Sequence, residues 1–87
     1  MDAMHVLTVL NWMRRADREF ADVTLSQLFR TAYYAGNGVI LPESRLAVDL
    51  AEFAKGNVPY YVVIFMKKHI YPVLLKVNPD PKPPVIH

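Results

Sequence analysis

The stretch NVPYYVVIFMKKHIYPVLLKV, residues 57–77, decides the fold, because it holds the longest apolar run in the chain. A membrane-spanning helix needs about 20 mostly apolar residues. Here the run from Val58 to Met66 is followed by Lys67, Lys68 and His69 before apolar residues return. The stretch is therefore too short to cross a bilayer, and we expect a buried element of a soluble domain without a transmembrane segment.

As a helix, this stretch has a good start and a clear end. Asn57 is placed to cap the helix, and Pro59 lies in its first turn, where proline is tolerated. Pro72 should end or kink the helix, since proline donates no backbone hydrogen bond and disfavours helix at the residue before it. One side of the helix would carry Val62, Phe65, Met66 and His69.

As strands, the same stretch has suitable residues but a poor turn. Residues 60–66 and 70–77 are rich in β-formers. The Lys-Lys-His link between them lacks the glycine, asparagine or aspartate of a tight hairpin turn, and Pro72 would confine the second strand to a sheet edge. We favour a buried helix and keep the strands as the alternative.

Working outward, the N-terminal part of the chain predicts a helix over residues 3–16. Asp2 stands at its N-cap position, and Arg14 and Arg15 lie in its last turn, where positive charge complements the helix dipole. The apolar residues at helical spacing are Val6, Val9, Leu10 and Met13.

A capping box predicts the start of a second helix. The Thr24 hydroxyl can accept from an early backbone N–H, while Gln27 reaches back to the Thr24 backbone. Gly36 or Gly38 can supply the left-handed residue that ends the helix. Its apolar face holds Leu25, Leu28, Phe29 and Ala32.

A third helix is predicted after a short apolar run, residues 39–41, that reads as a strand or as a buried connection. Pro42 and Glu43 suit its first turn, and Lys55 with Gly56 suits its end. Its apolar positions are Leu46, Leu50 and Phe53.

These elements predict a mainly α fold: one compact domain of three to four helices over residues 1–77. Residues 78–87 hold four prolines and predict an extended polyproline-like arm. The alternative is an α+β domain with a small sheet formed from about residues 38–41 and 60–77.

Composition points to a cysteine-free cytoplasmic domain. Absence of cysteine excludes disulfides and thiolate metal sites and fits a reducing compartment. The N-terminus lacks the basic leader of a signal peptide, so we expect it to belong to the mature fold. Because 53% of the residues are apolar, slightly above the usual share, a homo-oligomer or another partner is expected to cover part of the surface.

The sequence offers little for catalysis or cofactors. Ser26 and Ser44 lie in no glycine-flanked elbow, and Asp49 with Glu52 fits the solvated face of a helix. The glycines form no phosphate-binding loop, and the histidines, which are His5, His69 and His87, form no metal-ligand pattern. We therefore expect no enzyme, no cofactor and no metal site.

Recognition of another protein is the function we expect, through an adaptor, modulator or inhibitor that occupies a partner's surface. Interfaces favour tyrosine, tryptophan and arginine. Tyr33 and Tyr34 are neighbours, as are Tyr60 and Tyr61, and helical neighbours point about 100° apart, so one of each pair should be exposed. The predicted protein-binding residues are Trp12, Arg14, Arg15, Tyr34, Tyr61 and Tyr71.

The alternative is a small DNA-binding regulator with a loose helix-turn-helix formed by the second and third predicted helices. Phosphate contacts need basic side chains on one face. The candidate nucleic-acid-binding residues are Arg14, Arg15, Arg18, Arg30 and Arg45.

Overall fold

Four α-helices form the part of the chain that the computed structural model describes, residues 2–72. They are α1 (Ala3–Ala16), α2 (Leu25–Asn37), α3 (Glu43–Ala54) and α4 (Tyr60–Phe65). A 3-10 turn, Arg18–Phe20, follows α1, and a π-helical turn, Met66–Ile70, continues α4 directly.

The predicted mainly α fold is confirmed within residues 2–72. No strand occurs in them, so the alternative strands at residues 38–41 and 60–72 are wrong. Backbone hydrogen bonds in the apolar stretch are made along the helix, and no neighbouring strand is needed to satisfy them. The rest of the apolar stretch after Pro72 and the predicted arm, residues 78–87, lie outside the described residues.

Capping residues fix the start of α1 and both ends of α2 where the sequence predicts them. The Asp2 side chain accepts from the His5 backbone N–H at 2.8 Å. In α2, the Thr24 hydroxyl accepts from the Gln27 N–H at 3.1 Å, and the Gln27 side chain accepts from the Thr24 N–H at 2.8 Å. Gly38 ends α2 with φ +72°, a conformation that glycine adopts without strain.

The connection into α3 is not a strand, and of its three apolar residues only Leu41 is buried. Leu41 is 1% exposed and fixes this link to the core, whereas Val39 and Ile40 point into solvent. Glu43 occupies the first turn of α3, where its charge complements the helix dipole. Gly56, with φ +98°, ends the helix region, as the sequence predicts.

The start of α4 differs from the prediction. Pro59 is the N-cap residue, and the Asn57 side chain instead donates to Glu52 at 3.3 Å while the Asn57 N–H donates to the Glu52 carbonyl. Asn57 thus ties the end of α3 to the loop and is too early to cap α4. Proline suits the new start because its fixed φ is already close to helical and it needs no hydrogen-bond partner for its nitrogen.

The π-helical turn corrects the predicted position of His69. The Tyr71 N–H donates to the Met66 carbonyl, five residues earlier, so the chain rotates less per residue than in an α-helix. His69 is exposed, while Met66 and Ile70 are buried. Tyr71 keeps helical backbone angles, so the helix does not end before Pro72.

One apolar core lies between the helices, with α2 packed against both α3 and α4. Phe29 and Val62 are 0% exposed and lie at its centre. The buried apolar residues of α1 are those that the sequence predicts: Val6, Val9, Leu10 and Met13.

Candidate functional site

A groove of about 290 Å³ runs between the C-terminal half of α2 and the side of α4. Of its lining residues, Ala32 belongs to the core, whereas Tyr60 is 78% exposed. The lining residues are Ala32, Ala35, Gly36, Asn37, Tyr60, Tyr61, Ile64, Phe65, Lys68 and His69.

Small residues on α2 leave the groove open. Ala32, Ala35 and Gly36 lie at i, i+3 and i+4, which places them on one side of the helix. A Cβ built on Gly36 meets no atom within 4 Å. The groove is therefore free space beside α2 and is not filled by a neighbouring helix of the described chain.

The opposite wall is apolar and carries positive charge at one end. Tyr60 is 78% exposed, and Ile64 and Phe65 are half-buried. Lys68 and His69 are exposed, and no acidic residue among residues 2–72 lines the groove. None of the ion pairs between described residues involves Lys68.

Tyr61 forms part of the groove floor and is fixed from below. Its hydroxyl donates to the carboxylate of Asp49 at 2.5 Å, and Asp49 is itself only 8% exposed. Burial raises the pKa of Tyr61 above its ordinary value, and the hydrogen bond to Asp49 raises this pKa further. Tyr61 is thus a protonated donor that joins α4 to α3.

Arg45 completes this connection. Its guanidinium lies 3.3 Å from the Asp49 carboxylate and 5.9 Å from the centre of the Tyr33 ring. The Tyr33 ring meets the Tyr61 ring edge-on at 5.2 Å, the geometry that aromatic pairs prefer. The floor of the groove is therefore preorganised by contacts among α2, α3 and α4.

The prediction that one tyrosine of each adjacent pair is exposed is confirmed. Tyr34 is 59% and Tyr60 is 78% exposed, while Tyr33 is half-buried. The choice of Tyr61 as a surface anchor is wrong, since Tyr61 is 9% exposed; its hydroxyl finds its partner inside the protein.

The other predicted protein-binding residues do not form one surface with the groove. Trp12 and Tyr71 pack against the core, and Tyr71 shares a hydrogen bond with His5. Arg14 donates to the Val23 carbonyl through Nε at 2.7 Å. Arg15 is exposed, and Tyr34 does not line the groove.

The five arginines proposed for nucleic acid are divided among four places. Arg14 and Arg15 border a shallow depression on α1 with Thr8 and Asn11. Arg30 pairs with Glu43 at 2.8 Å, Arg45 pairs with Asp49, and Arg18 lies in the 3-10 turn. Three of the five thus already have a partner within the chain.

Among the residues that line the groove, sequence reasoning named Tyr61 as protein-binding and missed the others, above all Tyr60 and Lys68. The signal available was the spacing of small residues at positions 32, 35 and 36. That spacing marks the side of α2 on which another chain can approach closely. Without the direction of α4, however, it does not say what lies across from it.

Two further findings concern membrane and metal sites. In residues 2–72, every helix is too short or too polar for a membrane span. The same residues bring no three side chains of His, Asp or Glu together in a way that could hold a metal ion.

Comparisons with known proteins add no family: no family model matches the chain, and no curated protein or solved structure matches it significantly.

Proposed function

We propose that this protein is a non-catalytic interaction protein, an adaptor, modulator or inhibitor, that binds a segment of a partner protein in the α2–α4 groove. The observation that carries the proposal is an open apolar groove with a preorganised floor. Interfaces are built around apolar and aromatic anchors in such depressions. The action is steric, because occupying the partner's segment prevents its other contacts.

The charge of the groove indicates the chemistry of the partner. Lys68 and His69 lie in the lining without an acidic residue there. A matching segment presents apolar side chains to Tyr60, Ile64 and Phe65 and a carboxylate to Lys68. Complementary charge at a rim mainly raises the association rate and specificity.

The arginine positions support protein over nucleic acid as the partner. Phosphate binding needs several free cations along one face, and Arg14, Arg30 and Arg45 already bind groups of this chain. The DNA-binding alternative stays a prediction. Titration of duplex DNA at several salt concentrations tests it, by comparing the wild type with the triple variant Arg14→Ala, Arg15→Ala, Arg18→Ala.

A peptide selection tests the groove. Amphipathic peptides from a random library are selected on the wild-type protein, and their affinities are then measured against variants. We expect selected peptides to be enriched in apolar and acidic residues, and Tyr60→Ala and Lys68→Glu to weaken binding about tenfold or more, the effect of removing an interface anchor.

The chain supplies matched controls for both variants. Tyr34→Ala removes an exposed tyrosine that does not line the groove, and Lys67→Glu reverses the neighbouring exposed charge, which does not line it either. Peptides that are insensitive to Tyr60→Ala and Lys68→Glu, or equally sensitive to the controls, would contradict the proposal.

Self-association is the second part of the proposal. Val39 and Ile40 are adjacent, and they are 56% and 80% exposed, so together they offer an apolar patch outside the groove lining. We expect a homodimer by light scattering that persists at high salt, because apolar contacts are not screened. Loss of the dimer in Ile40→Asp would support this patch, and a monomer at every concentration would contradict self-association.

A further inference from the structure

A second cavity, separate from the proposed function, lies on the other side of Phe65. Its volume is about 270 Å³, and it is bordered by α1, the 3-10 turn, α2 and the π-helical turn. It opens to solvent beside Gln27 and Thr31, which are exposed. The lining residues are Leu10, Met13, Phe20, Val23, Gln27, Leu28, Thr31, Phe65, Met66 and Ile70.

The size of this cavity suits a small organic molecule. In another protein an apolar cavity of about 150 Å³ takes up benzene. By proportion, this cavity has room for a molecule of about ten non-hydrogen atoms. Binding an apolar molecule here would remove apolar surface of both the ligand and the cavity walls from water, which favours binding.

The walls are built from adaptable elements. Met13 and Met66 contribute flexible thioether side chains, which fill irregular space and tolerate different shapes. Phe65, Met66 and Ile70 come from the helix where its hydrogen bonding changes to π. Such π segments are rare in proteins and occur frequently at functional sites.

The polar groups define the ligand further. No charged side chain of the described residues lines the cavity, and a charged ligand group would be desolvated without a counterion. Gln27 and Thr31 are exposed residues of α2 in the lining. The Gln27 side-chain oxygen already accepts from Thr24, which leaves its amide N–H groups to donate, and the Thr31 hydroxyl can also donate.

We propose that this cavity binds a small neutral apolar molecule that carries one hydrogen-bond acceptor. The apolar body lies among Met13, Leu28 and Met66, and the acceptor faces Gln27 and Thr31. A ketone, ester or ether of aromatic or short aliphatic type has this chemistry.

Titration of the full chain with two matched probes tests the site. Acetophenone and isopropylbenzene have the same number of non-hydrogen atoms, and only acetophenone carries an acceptor. We expect acetophenone to bind with a dissociation constant of about 1 mM or tighter. NMR cross-peaks should connect it to the methyl groups of Met13 and Met66.

Two variants separate the parts of the proposal. Thr31→Val removes the hydroxyl at constant shape, and it should weaken acetophenone about fivefold while leaving isopropylbenzene unchanged. Val23→Phe places a ring in the cavity and should abolish binding of both probes. Val39→Phe, the same change at an exposed position outside the cavity, should bind both probes as the wild type does.

The wild-type cross-peaks keep the proposal testable even if Val23→Phe does not fold. Absence of contacts from bound acetophenone to Met13 and Met66 would overturn it. Equal affinity of both probes for wild type and Thr31→Val would overturn the acceptor assignment. Cross-peaks from the Met66 methyl to Leu74 or Leu75 in the free protein would also overturn it, because the chain itself would then be the occupant.

Discussion

The two ends of the last helical stretch differ in how they are packed. At one end, Tyr61 belongs to a cluster of rings that meet edge-on. The centre of the Phe29 ring lies 5.5 Å from that of Phe53 and 6.2 Å from that of Tyr61. We call this the aromatic end. At the other, Met13, Met66 and Ile70 surround a cavity of about 270 Å³. We call this the cavity end.

The polar contacts follow the same division. At the aromatic end, Asp49 is 8% exposed and accepts a hydrogen bond from Tyr61. At the cavity end, the hydrogen bonds are nearer the surface: His5 shares one with Tyr71, both half-buried, and Arg14 donates to the Val23 carbonyl. Beneath the groove, rings packed edge-on and a buried carboxylate with hydrogen-bond partners define one structure, whereas a cavity lined by flexible side chains leaves room for change. We therefore expect the aromatic end to carry stability and the cavity end to carry adaptability.

The largest expected effect is the loss of a core ring at the aromatic end. Phe29→Ala should lower the free energy of unfolding by about 3–5 kcal/mol, since its side chain is fully buried and a new cavity would form. Met66→Ala borders an existing cavity, so we expect about 2 kcal/mol, the lower limit for such changes. Urea unfolding measures both, and equal losses would remove the distinction between the ends.

Removal of one hydroxyl at each end sharpens the comparison. Tyr61→Phe removes the buried donor of the Asp49 carboxylate and leaves it only the Arg45 guanidinium, so we expect a cost of about 1–3 kcal/mol. Tyr71→Phe removes a half-buried hydroxyl, and we expect at most about 1 kcal/mol. A double-mutant cycle of Tyr61→Phe with Asp49→Asn should show a coupling energy for the first pair; additive losses would mean that the two side chains stabilise the fold independently.

Substitutions that add volume should also be tolerated better at the cavity end than at the aromatic end. Val62 is 0% exposed among filled contacts, so Val62→Phe should cost about 1–3 kcal/mol through overpacking. Val23 borders the cavity, and Val23→Phe should cost less than about 1 kcal/mol. Thermal unfolding of both variants provides the measurement, with a larger loss for Val23→Phe as the contrary result.

The smallest expected effect is a pH dependence at the cavity end. Burial lowers the pKa of His5, with the charge of Asp2 acting in the opposite direction. Because His5 takes up a proton more readily in the unfolded chain, its lowered pKa contributes to the free energy of unfolding. This contribution is complete above the ordinary imidazole pKa of about 6.5 and is lost as pH falls below it. The stability difference between wild type and His5→Asn should therefore narrow from pH 7.5 towards pH 5, in steps of about half a pH unit. A constant difference would show that His5 is not linked to folding.

Local signals predicted the helices well because each is encoded within a few residues. Asp2, Thr24 with Gln27, and Gly38 fix helix ends through contacts with their own neighbours in sequence. The candidate groove was not predictable in this way. Its walls come from positions 32–37 and 60–69, and only the packing of α2 on α4 brings Gly36 and Lys68 to the same depression.

The error over Tyr61 has a related cause. A tyrosine next to another tyrosine indicates that one of the two is exposed, but the choice depends on where a partner for the hydroxyl lies. Asp49, which the sequence places on a solvated helix face, is that partner. Two polar residues that each fit the surface are thus buried together because they satisfy one another.

The π-helical turn also has a consequence for how the chain can change in length over evolution. A π turn contains one more residue than an α turn along the same path. In this turn, residues 67–69 are the exposed ones. A homologous chain that lacks one of these three positions can form an ordinary α-helix and still present Ile70 and Tyr71 to the same neighbours. A one-residue gap at this point of an alignment is therefore compatible with an unchanged core, whereas the same gap within Tyr61–Phe65 would rotate all that follows.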